Sequence, residues 1–313
     1  MKLAVMGAGA VGQSVAQLAS EYGHTIAGIA DSRGAVWDPE GIDVNEALGR
    51  KRTDGSVGTN TPEDLLETDY DVLVEATPTT LGDAEPGFTH VTEALARDRH
   101  VVLANKGPMA ERYDEVMAAA ADSTGSVRFE ATVGGAIPAI ATVEGLGPEH
   151  VTAARGVLNG TANFVLTRMQ TEGLAYEHVL AEAQDLGVAE ADPSFDVNGT
   201  DAGLKGVILA NVLDDGGHTI AEAQIEGIED FPANALDVAA EDGMTIRLIV
   251  ETTAERVRVG PRLVPENDTL AVTGTMNILQ FDTEHAGQLN ISGRGAGGPE
   301  TASAVLADVD RLD

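Results

Sequence analysis

Only four lysines occur in this sequence, and two of them stand where proton chemistry is possible. Lys205 lies in GTDAGLKGVILAN, a helical stretch, with Asp201 four residues before it. That spacing puts the ammonium and the carboxylate on one helix face. On a solvated helix the pair is an ordinary surface ion pair. Here the stretch from Ala202 through Ala210 is strongly apolar, so Lys205 is expected to be at least partly desolvated. Desolvation suits it to proton transfer, while Asp201 keeps it charged and aimed. Lys106 closes the strand pattern HVVLANK and so falls at a strand's carboxyl end, where open α/β sheets bind ligands. Gly187-Val188-Ala189-Glu190-Ala191-Asp192-Pro193, followed by Asp196, Asn198 and Gly199, gathers acids in a turn-rich segment. Such acids suit a substrate ammonium group or plain acidic surface; composition does not separate the two.

A second constellation is made of glycine. Gly7-Ala8-Gly9-Ala10-Val11-Gly12 is G-x-G-x-x-G, placed after the apolar run LAVM and before a helical pattern. Asp31 follows nineteen residues after Gly12, at the end of TIAGIA. In that context the glycines read as a dinucleotide fingerprint: Gly7 for the tight turn, Gly9 for approach of the pyrophosphate, Gly12 for close packing of helix on strand. The helix start offers free N–H groups and the positive dipole end to phosphates. Asp31 accepting from the ribose hydroxyls favours NAD, whereas Arg33 gripping a 2′-phosphate favours NADP. Lys51 and Arg52, a rare basic pair, either help Arg33 or sit in an exposed loop. The cofactor is NAD or NADP.

These groups need a scaffold, and the chain supplies two patterns. Up to about residue 135, DVLVEAT, HVVLANK and VRFEATV repeat the apolar strand pattern, with HVTEALARD and YDEVMAAAAD as helices between them. Alternation of this kind predicts an α/β, Rossmann-type doubly wound parallel sheet. Beyond it, helical stretches near 161–172, 176–186 and 201–213 are followed by two hairpin pairs, TIRLIVE with RVRVG and MNILQFD with QLNIS. They predict a second, α+β domain. The tail, GRGAGGPETASAVLADVDRL, is a glycine turn entering an apolar helix that must dock, and the first domain is its expected partner. The expected division is 1–135, 136–290 and a returning segment 291–313.

The 313 residues carry a net charge of −32, yet 43 % are hydrophobic and only 4 % aromatic. So acidic a chain repels nucleic acid and anionic membranes. The acids are dispersed over a sequence able to fill a core, which argues against disorder. With lysine so scarce, the pattern is that of a halophilic surface, screened by salt. No cysteine is present, which excludes disulfides, thiol nucleophiles and thiolate metal sites. Met1 leads straight into a strand and no apolar run approaches a membrane span, so a cytoplasmic protein is expected. The seven histidines show no H-x-x-x-H or other clustered ligand spacing, so a catalytic metal is not expected.

The segment EADPSFDVNGTDAGLK resembles the signature of homoserine dehydrogenases, with its Glu, Asp-Pro, Asp, Gly, Asp and Lys in matching order. ANKGP, EATVGGAIP, GVLNGTANF and GAGGPETASAV are similar to further segments of that family, in the family's order, across essentially the whole chain. The resemblance implies interconversion of homoserine and aspartate semialdehyde within threonine and methionine biosynthesis, and a homodimer whose second domain serves dimerisation and catalysis. It implies that Lys205 exchanges the proton on the substrate oxygen, oriented by Asp201, and that Lys106 lies beside that oxygen and the nicotinamide. Glu190 and Asp196 would hold the substrate amino group, and Thr161 would line the pocket. Thr77, Gly187 and Gly297 would lie near the cofactor. A monovalent cation such as sodium would sit on backbone carbonyls of Glu130, Val133, Gly135 and Ile137. Two departures are visible: Phe195 inside the acidic signature, and no kinase or regulatory segment, so feedback control by such a domain is not expected. The other readings are a different two-domain NAD(P)-dependent amino-acid or aldehyde dehydrogenase, and a non-catalytic dinucleotide sensor.

Overall fold

The LAVM run is completely buried, as a strand covered on both faces must be, and it sits near the middle of a six-stranded sheet. The computed structural model describes residues 1–229 and 231–312. Its first sheet is ordered β3-β2-β1-β4-β5-β6, formed by Gly34–Trp37 (β3), Thr25–Asp31 (β2), Lys2–Met6 (β1), Val72–Glu75 (β4), His100–Leu103 (β5) and Val127–Arg128 (β6). All pairings are parallel except β2 with β3. Helices α1 (Ala10–Leu18), α2 (Val44–Asp54), α3 (Gly87–Leu95), α4 (Gly107–Glu111) and α5 (Tyr113–Ala121) occupy the connections. Strand order reverses beside β1, so the crevice between the ends of β1 and β4 is the topological switch point where such sheets bind ligands.

Three local outcomes differ from the pattern reading, each for a visible reason. Strand β3 follows β2 after only two residues. The Asp31 carboxylate accepts from the N–H groups of Arg33 (2.8 Å) and Gly34 (3.1 Å), closing a tight turn that reverses the chain. Lys51 and Arg52 lie in the last turn of α2, not in a loop. Asp43 caps that helix through the Glu46 N–H and Gly55 ends it at φ 79°. VRFEATV is a strand only at Val127–Arg128, because Glu130 N–H donates to Asp308 Oδ2 and a 3₁₀ turn replaces the ladder over Glu130–Thr132.

The chain divides into two units, residues 1–136 with 296–313, and residues 137–295. In the first, the tail helix α12 (Gly298–Asp310) shares an apolar cluster with α1 and the turn that follows it: Val305, Leu306 and Val309 with Val15 and Ala16 of α1 and Ala19 just beyond it. Burying each large aliphatic of that set contributes about 1.5–3 kcal/mol, enough to hold the helix in place.

The second unit holds a sheet ordered β12-β11-β7-β9-β10-β8. Its strands are Val151–Val157 (β7), Gln224–Ile225 (β8), Met244–Thr253 (β9), Arg256–Pro265 (β10), Met276–Thr283 (β11) and Gln288–Arg294 (β12). Both expected hairpins form, β9 with β10 and β11 with β12. The helices are α6 (Ala139–Leu146), α7 (Gly160–Glu172), α8 (Tyr176–Asp185), α9 (Ser194–Val197), α10 (Thr200–Asp214) and α11 (Ala233–Glu241). Every residue of α10 from Asp201 to Asn211 is buried. Gly203 and Gly206 let it press close: a Cβ on Gly206 would lie 2.7 Å from Val257 and 2.8 Å from Val250. Among the described residues, no helix is long and apolar enough to cross a membrane.

Candidate active site

In the first unit the glycine turn has the form a dinucleotide requires. Gly7 has φ 106°, and a Cβ there would lie 2.3 Å from the Ala76 carbonyl oxygen, so the loops after β1 and β4 touch. A Cβ on Gly12 would lie 1.8 Å from the Gly7 carbonyl oxygen, whereas one on Gly9 meets nothing within 4 Å. The first position thus closes the turn, the last seats the helix, and the middle one leaves open space before α1. Gly9 caps α1 without a side chain, so the first-turn N–H groups of Ala10, Val11 and Gly12 are not claimed by a capping residue. Ala8 is buried behind the turn, its carbonyl accepting from Gln13 Nε2. Gly297, at φ 126°, starts α12, and a Cβ on Gly298 would meet the Ala10 carbonyl oxygen at 2.9 Å. Two helix N-termini therefore meet at the fingerprint loop. These features fit a bound dinucleotide.

Asp31 behaves differently from the expectation of a free ribose acceptor. Its Oδ1 accepts from Arg33 N–H, Gly34 N–H and Ser56 Oγ (3.2 Å); its Oδ2 accepts from Val57 N–H and Lys51 Nζ, both at 2.9 Å. Five donors saturate two carboxylate oxygens. Burial opposes its ionisation, but the Lys51 ammonium and the Arg33 and Val57 N–H groups outweigh that and hold Asp31 below the ordinary carboxylate range. Arg33 is exposed, with its guanidinium over Gly55 at the end of α2. Arg52 folds back along its own helix toward Gly49.

Sequence reasoning missed Glu75, the last residue of β4, which is completely buried. Its Oε2 lies 2.7 Å from His90 Nδ1 on α3. Its Oε1 accepts from the Thr77 N–H (3.0 Å), the Thr77 hydroxyl and Asn105 Nδ2 (3.4 Å). Asn105 Nδ2 also donates to Thr77 Oγ1, and Asn105 Oδ1 accepts from Gly107 N–H. One carboxylate thus ties the Thr77 loop to the turn carrying Lys106, whose N–H meets Thr79 Oγ1 at 3.3 Å. An acid at the end of an apolar strand, followed by a small polar loop, is the signal that was available.

The second unit contains the other constellation. Lys205 Nζ donates to Asp201 Oδ2 and to the Leu158 carbonyl, both at 2.6 Å, and only 7 % of the residue is exposed. Asn159, also buried, bridges Asp201 Oδ2 (2.9 Å) and Asp196 Oδ1 (2.7 Å) through its Nδ2. Its Oδ1 accepts from the Ala162 N–H and caps α7. The turn between β7 and α7 therefore organises the acidic signature of α9 and α10. Burial, then the Asp201 charge, push Asp196 above the ordinary carboxylate range, and the Glu190 charge adds to this. Thr161 Oγ1 donates to the Val188 carbonyl at 3.0 Å, pinning the segment before Glu190. Glu190 itself is exposed, as is Gly187, which has φ 70°. The structure brings Asp196, Asn159, Asp201 and Lys205 into one hydrogen-bonded chain. Of the four carbonyls expected to hold a cation, Glu130 accepts from Val133 N–H (3.3 Å) and Ile137 from Ala139 N–H (2.8 Å), while Gly135 turns the chain at φ 59°.

Comparison with known proteins adds independent findings. The family model described as homoserine dehydrogenase matches residues 138–309, and one described as glutamate/leucine/phenylalanine/valine dehydrogenase matches residues 1–81. The chain is 39 % identical to a homoserine dehydrogenase of Methanocaldococcus jannaschii, covering 99 % of this chain and 97 % of the relative. It is 34 % identical to the NAD(+)-dependent homoserine dehydrogenase of Pseudomonas canavaninivorans, over 98 % and 95 %. A crystal structure assigned to homoserine dehydrogenase from Archaeoglobus fulgidus superposes with a TM-score of 0.92 at 39 % identity, over 99 % and 98 % of the two chains. A hyperthermophilic archaeal homoserine dehydrogenase in complex with NADPH matches with a TM-score of 0.85 at 28 % identity, over 99 % and 96 %.

Proposed function

This chain belongs to the homoserine dehydrogenase family, and from that premise we propose how its own residues divide the work. The protein is an NAD(P)-dependent oxidoreductase that interconverts L-homoserine and L-aspartate 4-semialdehyde. When bound, the nicotinamide supplies or accepts the hydride; the protein must bind, orient and move the proton. Lys205 is the acid/base at the substrate oxygen. It gives a proton as negative charge develops there during reduction and takes one back during oxidation. Asp201 fixes the ammonium, and the Leu158 carbonyl restricts its swing. Asp196, with Glu190, receives the substrate ammonium group, and Thr161 steadies the pocket wall. Lys106 serves the substrate oxygen and the nicotinamide. The Gly7–Gly12 loop, Thr77, Gly187 and Gly297 serve the cofactor.

The observation that carries this reading is the buried contact of Lys205 Nζ with Asp201 Oδ2 at 2.6 Å. Replacing Lys205 with Ala tests it. Homoserine oxidation is expected to stop while NADPH binding, followed by its fluorescence, survives. Retained turnover would overturn the assignment, and the roles given to its partners with it.

The saturation of Asp31 favours NADP(H). A ribose hydroxyl would have to displace an existing donor, whereas a 2′-phosphate needs cations and hydroxyls, which Arg33, Lys51 and Ser56 supply around it. The cation reading, with Glu130, Val133, Gly135 and Ile137 as its carbonyls, rests on the family resemblance. Rates in sodium against a bulky organic cation at equal ionic strength test it. A cytoplasmic homodimer completes the proposal; exposed Leu263 and the open β12 edge support association, and light scattering measures it.

A further inference from the structure

Histidines 135 residues apart in sequence meet at one end of the second sheet. His150 immediately precedes β7, and Glu284 and His285 form the turn between β11 and β12. The backbone locks this meeting. Glu284 N–H donates to the His150 carbonyl at 3.0 Å, and Thr283 pairs with Val151. The hairpin turn is closed by Thr283, whose N–H and hydroxyl both donate to the Gly287 carbonyl. Glu284 Oε2 lies 3.4 Å from His150 Nδ1 and 3.6 Å from His285 Nε2. One ligand atom from each of the three residues falls within 4.8 Å of the other two. The imidazole rings stand 5.8 Å apart between centroids.

We propose that His150, Glu284 and His285 form a surface site for a divalent transition-metal ion, with Zn²⁺ the best match. A tetrahedral centre with ligands at about 2.1 Å holds its ligand atoms roughly 3.4 Å apart. Two edges of the triangle already have about that length. The third closes by rotation of exposed side chains about fixed backbone positions. Two imidazoles and one carboxylate are a donor set for zinc, leaving one position for water or an outside ligand. Glu149 Oε1 lies 3.7 Å from His150 Nε2, on the far side of the ring from Nδ1. With metal on Nδ1, Nε2 carries the hydrogen, and a small rotation of the exposed Glu149 side chain would make it the acceptor, the carboxylate behind a ligating histidine that fixes the tautomer. The chain's charge of −32 raises the local concentration of any cation. Bound metal would clip the β11–β12 turn to the start of β7 and stabilise the second unit by mass action.

The test is calorimetric titration of chelator-stripped, untagged protein with Zn²⁺ in molar NaCl, which suppresses loose binding to surface acids. Wild type is expected to bind one equivalent. H150A and H285A, both at exposed positions, are each expected to weaken binding at least ~10-fold, and E284Q to act in the same direction. H178A, removing an exposed histidine of α8, is expected to leave affinity unchanged. Co²⁺ should give a visible d–d spectrum that H150A abolishes. Zinc binding that survives in the H150A/H285A double variant, or no saturable binding by wild type, overturns the proposal.

Discussion

Asp201 Oδ2 lies 2.6 Å from Lys205 Nζ, one helical turn away, on a helix buried along eleven successive residues. Gly206 lets α10 approach β9 and β10, Gly203 lets it approach Ile225 of β8, and the pair lies within that buried stretch. Removing one partner of a buried ion pair strands the other, at a cost of about 3–5 kcal/mol. D201A is therefore expected to lose both stability and turnover. D201N keeps shape and an acceptor oxygen, so it should lose turnover by roughly 10²-fold with a smaller drop in melting temperature. Equal turnover in D201N and wild type would show that the charge of Asp201 plays no part.

Asn159 separates a structural task from a chemical one. Its Oδ1 caps α7 and its Nδ2 joins Asp196 to Asp201. Serine caps helices about as well as asparagine but cannot span the two carboxylates. N159S should therefore keep its melting temperature within a few degrees while kcat for homoserine oxidation falls ~10-fold or more. A variant that unfolds early yet turns over normally when folded would reduce Asn159 to a cap.

Asp196 yields a pH prediction. Burial and the neighbouring Asp201 raise its pKa, so its ionised form is the costly one in the folded protein. The sign follows: its contribution to stability is full below the unfolded carboxylate pKa and is lost as pH rises through the raised folded value. A substrate ammonium group relieves that cost. The KM for homoserine should accordingly rise as pH falls through a window above the ordinary carboxylate value of about 3.9, and D196N should flatten the rise while raising KM throughout. A wild-type KM constant across that window removes Asp196 from the ammonium site.

The sequence made the scaffold legible wherever periodicity and local chemistry agreed. The Gly7–Gly12 turn, both hairpins and the buried α10 followed from short-range pattern. What stayed hidden depends on contacts between distant residues. Asn159 acquires its role from carboxylates 37 and 42 residues on, Glu75 from donors at Thr77, His90 and Asn105, and Asp31 from Lys51, Ser56 and Val57. Asp31 is the instructive case. Its position at the end of β2 marks a ribose acceptor, but the donors that saturate it come from β3, α2 and the loop after α2, which no strand–turn–helix pattern contains.

That saturation makes cofactor choice testable. If Arg33 and Lys51 receive a 2′-phosphate, wild type should favour NADP over NAD in kcat/KM. R33A should lose roughly 10-fold or more with NADP, a charge-assisted contact contributing about 1.5–3 kcal/mol, and change little with NAD. K51A is a harsher change, because it also removes the Asp31 partner and should lower stability. An R33A variant that loses both cofactors equally would mean Arg33 shapes the loop rather than reading the phosphate.

The charge of −32 sets the remaining expectation, because it is spread over the surface rather than answered by lysine. Exposed ion pairs such as Arg50–Glu46 and Arg97–Glu93 exist, but each contributes at most about 1 kcal/mol and their cations are far outnumbered. Repulsion among the unmatched acids opposes the compact state, and salt shortens its range from about 30 Å at 0.01 M to about 3 Å at 1 M. Screening acts more strongly on the folded chain, where the acids are closer together. The melting temperature should therefore climb by many degrees between dilute buffer and molar NaCl. Molar KCl should act nearly as well as NaCl, since the effect is one of ionic strength. A flat melting temperature over that range would mean that the acids are spaced widely enough not to matter, and the acidic surface would then need another explanation.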